Sequence, residues 1–331
     1  METNKCYTLQ STGDNRDRKA DIEACLGRYS ACVLGPGKFY VSGIDMPDYT
    51  TLTGLASATQ LILLPEIEQG YTVRMGSYCC VQDLTLLGAE EKIDLPETVG
   101  ERHGILYEGT ATTKEWMGPD LKLNSVVQNC RISGYTGGGL TCRDTGYYVR
   151  ASLAVTNCHI VNCGAGINIS HYSEYHKFTN IQCCENRYGC INNGGNNVFV
   201  SCGFDANVTG FVIDNATGQS PNNSHGSVVG CTFNHNDNNK GIGIQILNAK
   251  SGYVFTGCQM FYSKIDIDNS PGILFNAMNF GRDTVIAVRG KGLVMLTDCV
   301  FHGVPDTANV DPDAPTKFLH CYTRDGDEIT L

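Results

Sequence analysis

Two short segments, residues 143–150 and 171–176, bring carboxylates, imidazoles, guanidinium groups and tyrosines together at close spacing. The acidic members are Asp144 and Glu174. The other members are Arg143, Tyr147, Tyr148, Arg150, His171, Tyr172, Tyr175 and His176. Tyrosine rings pack against the apolar faces of sugar rings, and carboxylate or guanidinium groups hydrogen-bond sugar hydroxyls or uronate groups. The two segments therefore predict a carbohydrate-binding surface.

Three interpretations of this surface remain open from the residues alone. Glycoside hydrolysis needs two carboxyl groups, about 5 Å apart for retention or about 6.5–9.5 Å apart for inversion, and Asp144 with Glu174 is the predicted pair. A lyase needs a base near C5 of a uronate and a cation for its carboxylate, roles open to His176, Lys177 or Arg150. The third interpretation is a solvated surface that binds a glycan or another subunit without catalysis.

Imperfect repeats surround both segments and must position them. Each repeat carries an anchor residue, and in seven of the eight repeats an apolar residue follows two positions later on the same strand face. The anchors are Cys130, Cys158, Cys183, Cys202, Cys231, Cys258, Met278 and Cys299. They recur every 19 to 29 residues, and a second alternating run follows each anchor after a Gly- or Asn-rich bend. This spacing is typical of a β-solenoid, whose loops project from the corners of fixed turns.

The repeats predict an all-β fold, a right-handed parallel β-helix (solenoid) with a short N-terminal capping helix. Residues 1–13 are expected to be an N-terminal arm, residues 14–303 the β-helix, and residues 304–331 a C-terminal cap or tail. Residues 88–120 interrupt the repeats and are expected to form an insertion with one strand at residues 104–107. Because long loops on rigid scaffolds often carry function, this insertion is a further candidate region.

A short amphipathic helix is expected to cover the open end of the solenoid, which would otherwise expose unpaired strand edges. The helical spacing of apolar residues places it on residues 17–26. Its buried residues are expected to be Ile22, Cys25 and Leu26. Asn15 or Asp17 is the expected N-cap, and Gly27 is the expected end.

Residues 14–64 contain three successive motifs: Asp-x-x-x-Asp-Ile-Glu-Ala-Cys-Leu, Val-Leu-Gly-Pro-Gly-Lys-Phe-Tyr-Val and Thr-Thr-Leu-Thr-Gly. This order resembles the N-terminal part of the pectin-lyase-like superfamily, which includes pectate lyases, polygalacturonase-related hydrolases and bacteriophage tail spikes. Residues 191–200 and 221–231 are similar to phage and prophage tail-spike-like (glycosyl hydrolase 28-related) proteins. The resemblance implies a phage receptor-binding protein for host cell-surface polysaccharide, a homotrimer in the virion that folds in the bacterial cytoplasm.

Two further functions stay open: a polysaccharide-degrading enzyme such as a spike depolymerase or free extracellular hydrolase or lyase, and a structural virion module without a glycan site. The polygalacturonase signatures Asn-Thr-Asp, Gly-Asp-Asp, Gly-His-Gly and Arg-Ile-Lys are absent, and the nearest match is Ser224-His225-Gly226. The Arg-x-Pro-x-x-Arg pattern of calcium-dependent pectate lyases is also absent. The resemblance therefore assigns no catalytic residue.

Composition narrows the partners. The 331 residues carry a net charge of −10 and no basic run, which argues against nucleic acid. No stretch of 18 apolar residues is present to span a membrane. Among the 17 cysteines, the anchors are expected to form a buried column of reduced thiols, as in a protein that folds in a reducing cytoplasm. No Cys-x-x-Cys pair occurs, so neither a metal site nor a cofactor is expected.

Overall fold

The computed structural model describes residues 7–110, 122–146, 152–215, 225–235 and 241–330. The chain divides into two compact units, each described by itself below. Unit 1 comprises residues 1–168 and 172–177, and unit 2 comprises residues 169–171 and 178–331. In the part of the chain that the structure describes, one helix accompanies many short strands, and the paired strands run parallel.

The elements up to the boundary region are α1 (Lys19–Tyr29), β1 (Tyr7–Leu9), β2 (Ala31–Leu34), β3 (Gly37–Val41), β4 (Ile44–Asp45), β5 (Thr51–Leu63), β6 (Gly70–Arg74), β7 (Cys80–Leu87), β8 (Arg102–Glu108), β9 (Ser125–Gln128), β10 (Arg131–Ser133), β11 (Gly138–Arg143), β12 (Leu153–Thr156), β13 (His159–Val161), β14 (Ala165–Ile169) and β15 (Lys177–Thr179). The strands of unit 2 are β16 (Gln182–Cys184), β17 (Tyr188–Asn192), β18 (Asn197–Val200), β19 (Thr209–Asp214), β20 (Gly226–Val229), β21 (Gly241–Leu247), β22 (Tyr253–Thr256), β23 (Gln259–Met260), β24 (Ser263–Asp268), β25 (Ile273–Asn276), β26 (Asn279–Phe280), β27 (Val285–Arg289), β28 (Val294–Thr297), β29 (Val300–Phe301), β30 (Asp306–Val310), β31 (Thr316–Leu319) and β32 (Tyr322–Thr323).

Unit 1 is a right-handed parallel β-helix. One of its sheets, which we call the site sheet, has the order β4–β6–β8–β11. Its second ladder joins β2 and β3 to β5, β5 to β7, β7 to β9 and β9 to β12. Each strand pairs with the strand one coil later, because a solenoid returns the chain to the same corner in the same direction.

Unit 2 is also a right-handed parallel β-helix, and three ladders define its coil. One ladder has the order β17–β19–β21–β24–β27–β30. A second has the order β18–β20–β22–β25–β28–β31. The third has the order β23–β26–β29–β32. The three coils from β22 to β30 therefore each contribute one strand to each ladder, which confirms the predicted fold.

In each coil, one residue with a left-handed backbone follows the strand that belongs to the second ladder. In unit 2 these residues are Asn180, Ser201, Gly230, Gly257, Ala277, Asp298 and His320, with φ between 50° and 62°. The anchor follows each of them directly. After Asn180 the anchor is Ile181, since the next residue, Gln182, bridges Gly203 in the following coil. The prediction that Cys183 is an anchor is therefore wrong, and Cys183 occupies the apolar position two residues later.

The anchors form buried columns. In unit 2 the column contains Ile181, Cys202, Cys231, Cys258, Met278, Cys299 and Cys321, all no more than 2% exposed. The Cys202 N–H donates to Cys231 Sγ at 3.2 Å, and the Cys231 N–H donates to Cys258 Sγ at 3.4 Å. These hydrogen bonds between the anchors of neighbouring coils fit a small polarisable side chain, which is consistent with the recurrence of cysteine at this position.

Helix α1 covers the first coil of unit 1 with Ile22, Cys25 and Leu26, as predicted. The predicted N-cap is wrong, because Arg18 occupies that position, but the Asp17 carboxylate directly before it accepts the Lys19 N–H at 2.9 Å. The predicted end at Gly27 is wrong, because the helix continues to Tyr29. Its end is set by Ser30, whose φ of 59° is left-handed and whose N–H donates to the Leu26 carbonyl at 3.0 Å.

The predicted domain boundaries stay predictions, but the strands near them are clear. Within the expected arm, β1 pairs with β2. Within residues 304–331, β30, β31 and β32 each pair with a strand of the preceding coil. The predicted strand in the insertion is confirmed as β8, while residues 111–121 lie outside the described residues. Across the described ranges, no helix is long and apolar enough to cross a membrane.

Candidate functional site

The two segments predicted to form a site are neighbours at one corner of unit 1, apart from His171, which belongs to unit 2. A parallel bridge joins Gly146 to Ser173. The Gly146 N–H donates to the Tyr172 carbonyl at 2.8 Å, and the Glu174 N–H donates to the Gly146 carbonyl at 3.2 Å. The two loops are therefore stacked on neighbouring coils. Three of the predicted residues, Tyr147, Tyr148 and Arg150, lie outside the described residues.

Burial corrects the role of two of these residues. Glu174 is 3% exposed and His176 is fully buried, so the prediction that both lie on an outward-facing surface is wrong. Asp144, His171, Tyr172 and Tyr175 are half-buried. The catalytic pair of Asp144 and Glu174 stays a prediction, and the burial of Glu174 does not favour it.

His176 has a structural task at this corner. The Leu153 N–H donates to its Nδ1 at 3.0 Å, so the neutral ring carries its proton on Nε2, which lies 3.2 Å from Thr145 Oγ1. Burial lowers the pKa of His176 to about 3. A buried N–H at the start of β12 needs an acceptor, and the imidazole supplies it. That requirement explains why His176 points inward.

Arg143 leaves this corner and lies along the outer face of the site sheet. Its Nη2 lies 2.8 Å from Glu101 Oε2, and its Nη1 lies 3.5 Å from Glu108 Oε1. Strand register explains the second contact, because Arg143 on β11 is directly opposite Glu108 on β8. One guanidinium group therefore holds two carboxylates on a face that solvent can reach, since the Glu101 side chain is 59% exposed.

His103 lies beneath this pair of ions. The Gly138 N–H donates to its Nδ1 at 3.0 Å, and the Thr141 hydroxyl lies 3.0 Å from the same nitrogen. The neutral ring therefore carries its proton on Nε2, which faces Glu101 Oε2 at 3.3 Å. Burial and the charge of Arg143 lower the pKa of His103, although Glu101 acts in the opposite direction. The imidazole thus orients the Glu101 carboxylate as a neutral hydrogen-bond donor.

A second group of ions continues the same face toward β4. Asp45 Oδ1 lies 2.7 Å from Arg74 Nε and accepts a hydrogen bond of 2.7 Å from the Tyr71 hydroxyl. Lys19 Nζ lies 3.2 Å from Asp45 Oδ2. Arg74 also stacks over the Tyr71 ring at 5.0 Å. Burial lowers the pKa of Arg74, but Tyr71, Asp45 and, to a smaller extent, Glu108 raise it overall.

These contacts define the charged face of unit 1, a band of eight side chains along the outer side of the site sheet and on α1, in which His103 lies buried beneath the others. Its members are Lys19, Asp45, Tyr71, Arg74, Glu101, His103, Glu108 and Arg143. Register aligns them, because Asp45 pairs with Arg74, Tyr71 with His103, and Glu108 with Arg143. The band offers alternating hydrogen-bond donors and acceptors.

The protonation states limit the chemistry of the charged face. The hydrogen bond from Arg143 lowers the pKa of Glu101. Burial raises the pKa of Asp45, but the hydrogen bonds from Tyr71 and Lys19 and the charge of Arg74 outweigh it, so the pKa falls overall. Burial and Asp45 raise the pKa of Tyr71 to about 12. Glu101 and Asp45 are therefore stable anions, whereas a general acid needs a carboxyl group that keeps its proton near neutral pH.

Sequence reasoning found Arg143 but missed its partners. Glu101, His103 and Glu108 lie in the predicted insertion. Strand β8 carries His103 and Glu108 into the site sheet, and Glu101 directly precedes this strand. Asp45 and Arg74 come from strands 29 residues apart in the sequence, and only the register unites them. A signal was present in the two charged strand ends Ile44–Asp45 and Gly70–Arg74, but it does not identify a shared face.

Structural comparison places the fold among known parallel β-helices. The A-module of mannuronan C-5 epimerase AlgE6 from Azotobacter vinelandii matches with a TM-score of 0.60 at 13% identity, over 94% of this chain and 96% of that one. Tailspike protein 2 of Escherichia coli O157:H7 bacteriophage CAB120 matches with a TM-score of 0.61 at 14% identity, over 86% of this chain and 41% of that one. The catalytic unit of a GH87 α-1,3-glucanase from Streptomyces thermodiastaticus matches with a TM-score of 0.60 at 12% identity, over 94% of this chain and 68% of that one.

No protein-family model and no curated protein matches the sequence. At 12–14% identity the three structures show a shared fold alone. The chain has the right-handed parallel β-helix fold, as its repeats predict. Its function has to be argued from its own residues.

Proposed function

We propose that this protein binds a polysaccharide through the charged face of unit 1, as a receptor-binding β-helix protein of the phage tail-spike kind. The observation that carries the proposal is the Glu101–Arg143–Glu108 arrangement, in which one guanidinium group presents two carboxylates side by side on an accessible sheet face. A sugar hydroxyl can donate one hydrogen bond and accept another, so a carboxylate next to a guanidinium group is a suitable partner for it.

Binding is favoured over cleavage by the same residues. Hydrolysis needs a protonated carboxyl group beside an ionised one. The lowered pKa values of Asp45 and Glu101 leave both ionised at neutral pH. His103 is 2% exposed and both of its ring nitrogens have partners, so it is a poor base for a bound sugar. A polysaccharide hydrolase or lyase is the alternative, with Asp144 and Glu174 as its predicted pair.

The assembly of such a protein as a homotrimer in a virion is part of this proposal. The tailspike similarity in fold supports it, and unit 2 offers an apolar row for subunit contact. Val254, Leu274 and Met295 are in register on the outer face of β22, β25 and β28, where each remains partly exposed. Sedimentation of the intact protein tests the trimer, and Leu274→Lys with Met295→Lys is expected to convert it to monomer.

The test of binding uses immobilised bacterial surface polysaccharides and records both bound protein and new chain ends. Binding that is lost in Arg143→Met, without new chain ends in the wild-type protein, supports a receptor-binding protein. New chain ends that disappear in Glu174→Gln would instead establish an enzyme with the predicted pair. A trimer that binds no polysaccharide would leave a structural virion module.

A further inference from the structure

We propose that the polysaccharide bound by the charged face is an uncharged one, with neutral sugars rather than uronates or other acidic units at the contact. This inference rests on the proposed function and narrows its substrate class. It is based on the ion pairs that the cations of the charged face form with carboxylates of the protein itself.

Each of the three cations of the charged face is already paired. Arg143 lies 2.8 Å from Glu101 and 3.5 Å from Glu108. Arg74 lies 2.7 Å from Asp45. A carboxylate of an acidic sugar would have to displace one of these internal carboxylates to reach a guanidinium group. The displaced internal carboxylate would then stay close to the sugar carboxylate, because its own backbone is held in or next to a strand of the site sheet.

Lys19 is paired as well, and it brings a further carboxylate. Its Nζ lies 3.2 Å from Asp45 and 2.8 Å from Glu23. With Glu23 included, this surface has four carboxylates and three cations. The carboxylates are Glu23, Asp45, Glu101 and Glu108, and the cations are Lys19, Arg74 and Arg143. The lowered pKa values of Asp45 and Glu101 keep these two carboxylates ionised near neutral pH. The face is thus not positive, and the whole chain carries a net charge of −10.

The carboxylates of the charged face therefore repel a polyanionic polysaccharide, and each cation of this face already has a carboxylate partner within the protein. Charges on an exposed face act over about 8–10 Å at physiological ionic strength, which covers the neighbouring sugars of a bound chain. A neutral sugar needs no displacement, because its hydroxyls can donate to the carboxylates and accept from the outward N–H groups of the same ion pairs. The geometry of the ion pairs thus selects for uncharged hydroxyl-rich rings.

The experiment measures binding of the full-length protein to neutral and acidic sets of bacterial and plant polysaccharides, with dextran and mannan in the first set and alginate and polygalacturonate in the second. We expect the best neutral polysaccharide to bind at least about tenfold more tightly than any acidic one. We also expect its affinity to change by less than about twofold between 50 and 300 mM salt, because few ions are released. Preference for an acidic polysaccharide would overturn the inference and leave glycan binding intact, whereas no binding at all would overturn both.

A double variant sharpens the test. Glu101→Gln with Glu108→Gln releases Arg143 from both carboxylates, so acidic polysaccharides are expected to gain about tenfold in affinity and to acquire a salt dependence. The matched control is Asp313→Asn with Asp325→Asn, which makes the same change in net charge at exposed positions of unit 2. The control is expected to keep the neutral preference. An equal gain in both variants would assign the effect to net charge and contradict the role of the charged face.

Circular dichroism of both variants separates loss of fold from loss of selectivity. A folded Glu101→Gln/Glu108→Gln variant that still prefers neutral polysaccharides would also contradict the inference.

Discussion

Two ion clusters on the outer faces of the sheets, one in each unit, contain the same residue types but differ in their exposure to solvent. On the charged face of unit 1, Asp45, Arg74 and Glu101 have side chains that are 43%, 45% and 59% exposed. In unit 2, Asp266 on β24 is the centre of the cluster, and its side chain is only 10% exposed. An accessible pair can exchange partners with a ligand, whereas an enclosed pair is committed to the fold.

The enclosure of Asp266 comes from three neighbours. Its Oδ1 lies 2.8 Å from Arg289 Nη1 and 3.4 Å from Lys264 Nζ, and its Oδ2 accepts a hydrogen bond of 3.2 Å from Gln245 Nε2. Burial raises the pKa of Asp266, but these partners outweigh it and lower the pKa overall. Register explains the arrangement, since Gln245, Asp266 and Ala287 are successive partners across β21, β24 and β27. The cluster ties three coils together.

The largest expected effect is on polysaccharide binding, which should depend on the charged face of unit 1 and not on the cluster of unit 2. Arg143→Met is expected to weaken polysaccharide binding by about 30-fold or more, because hydrogen bonds to charged groups contribute about 1.5–3 kcal/mol each. Arg289→Met in unit 2 is the matched control and is expected to bind as the wild type does. Biolayer interferometry on one immobilised polysaccharide measures both. Equal losses in the two variants would break the comparison.

The next effect is a sensitivity of unit 1 to acid. The pKa of His176 falls to about 3 in the folded protein, below the value of about 6.5 in an unfolded chain. The unfolded chain therefore binds a proton that the folded chain excludes, and stability falls as the pH drops from about 6.5 toward 3 at about 1.4 kcal/mol per pH unit. His103 adds to this in the same direction, because its pKa is also lowered.

Hydrogen exchange at pH 6.5 and pH 5, corrected for the intrinsic rate, tests this sensitivity. Amides of β11 and β12 in unit 1 are expected to lose protection at pH 5, and His176→Gln is expected to reduce the difference between the two pH values. The sensitivity would be refuted by protection in unit 1 that stays constant over this range.

The smallest effect concerns stability at neutral pH. Asp266→Asn leaves Arg289 and Lys264 without their central anion, and the free energy of unfolding is expected to fall by about 1–2 kcal/mol. Glu101→Gln on the charged face is expected to change it by less than about 0.5 kcal/mol, because exposed ion pairs contribute little. Urea unfolding followed by circular dichroism measures both. A larger loss in Glu101→Gln would reverse the assignment of the two clusters.

Much of the fold could be predicted because short-range sequence patterns specify its strands and bends. Apolar residues alternate on each short strand, and a left-handed Asn, Gly or Asp marks the bend before four of the seven anchors of unit 2. The Cys183 error shows the limit of this reasoning. Cys183 matches the other anchors in residue type, whereas Ile181 matches them in following a left-handed Asn, and the bridge from Gln182 to Gly203 decides between the two.

By itself, the sequence determined the coil: a repeat of about 20 residues with two alternating runs can bury its apolar side chains only by stacking on the next repeat. The tertiary structure alone decided the candidate site. His176 and Arg143 come from the two segments that sequence reasoning united, yet one points into the core and the other along the outer face. The reason is that a polar side chain at a corner is directed by the backbone groups and charges brought beside it by other coils, and those lie tens of residues away in the sequence.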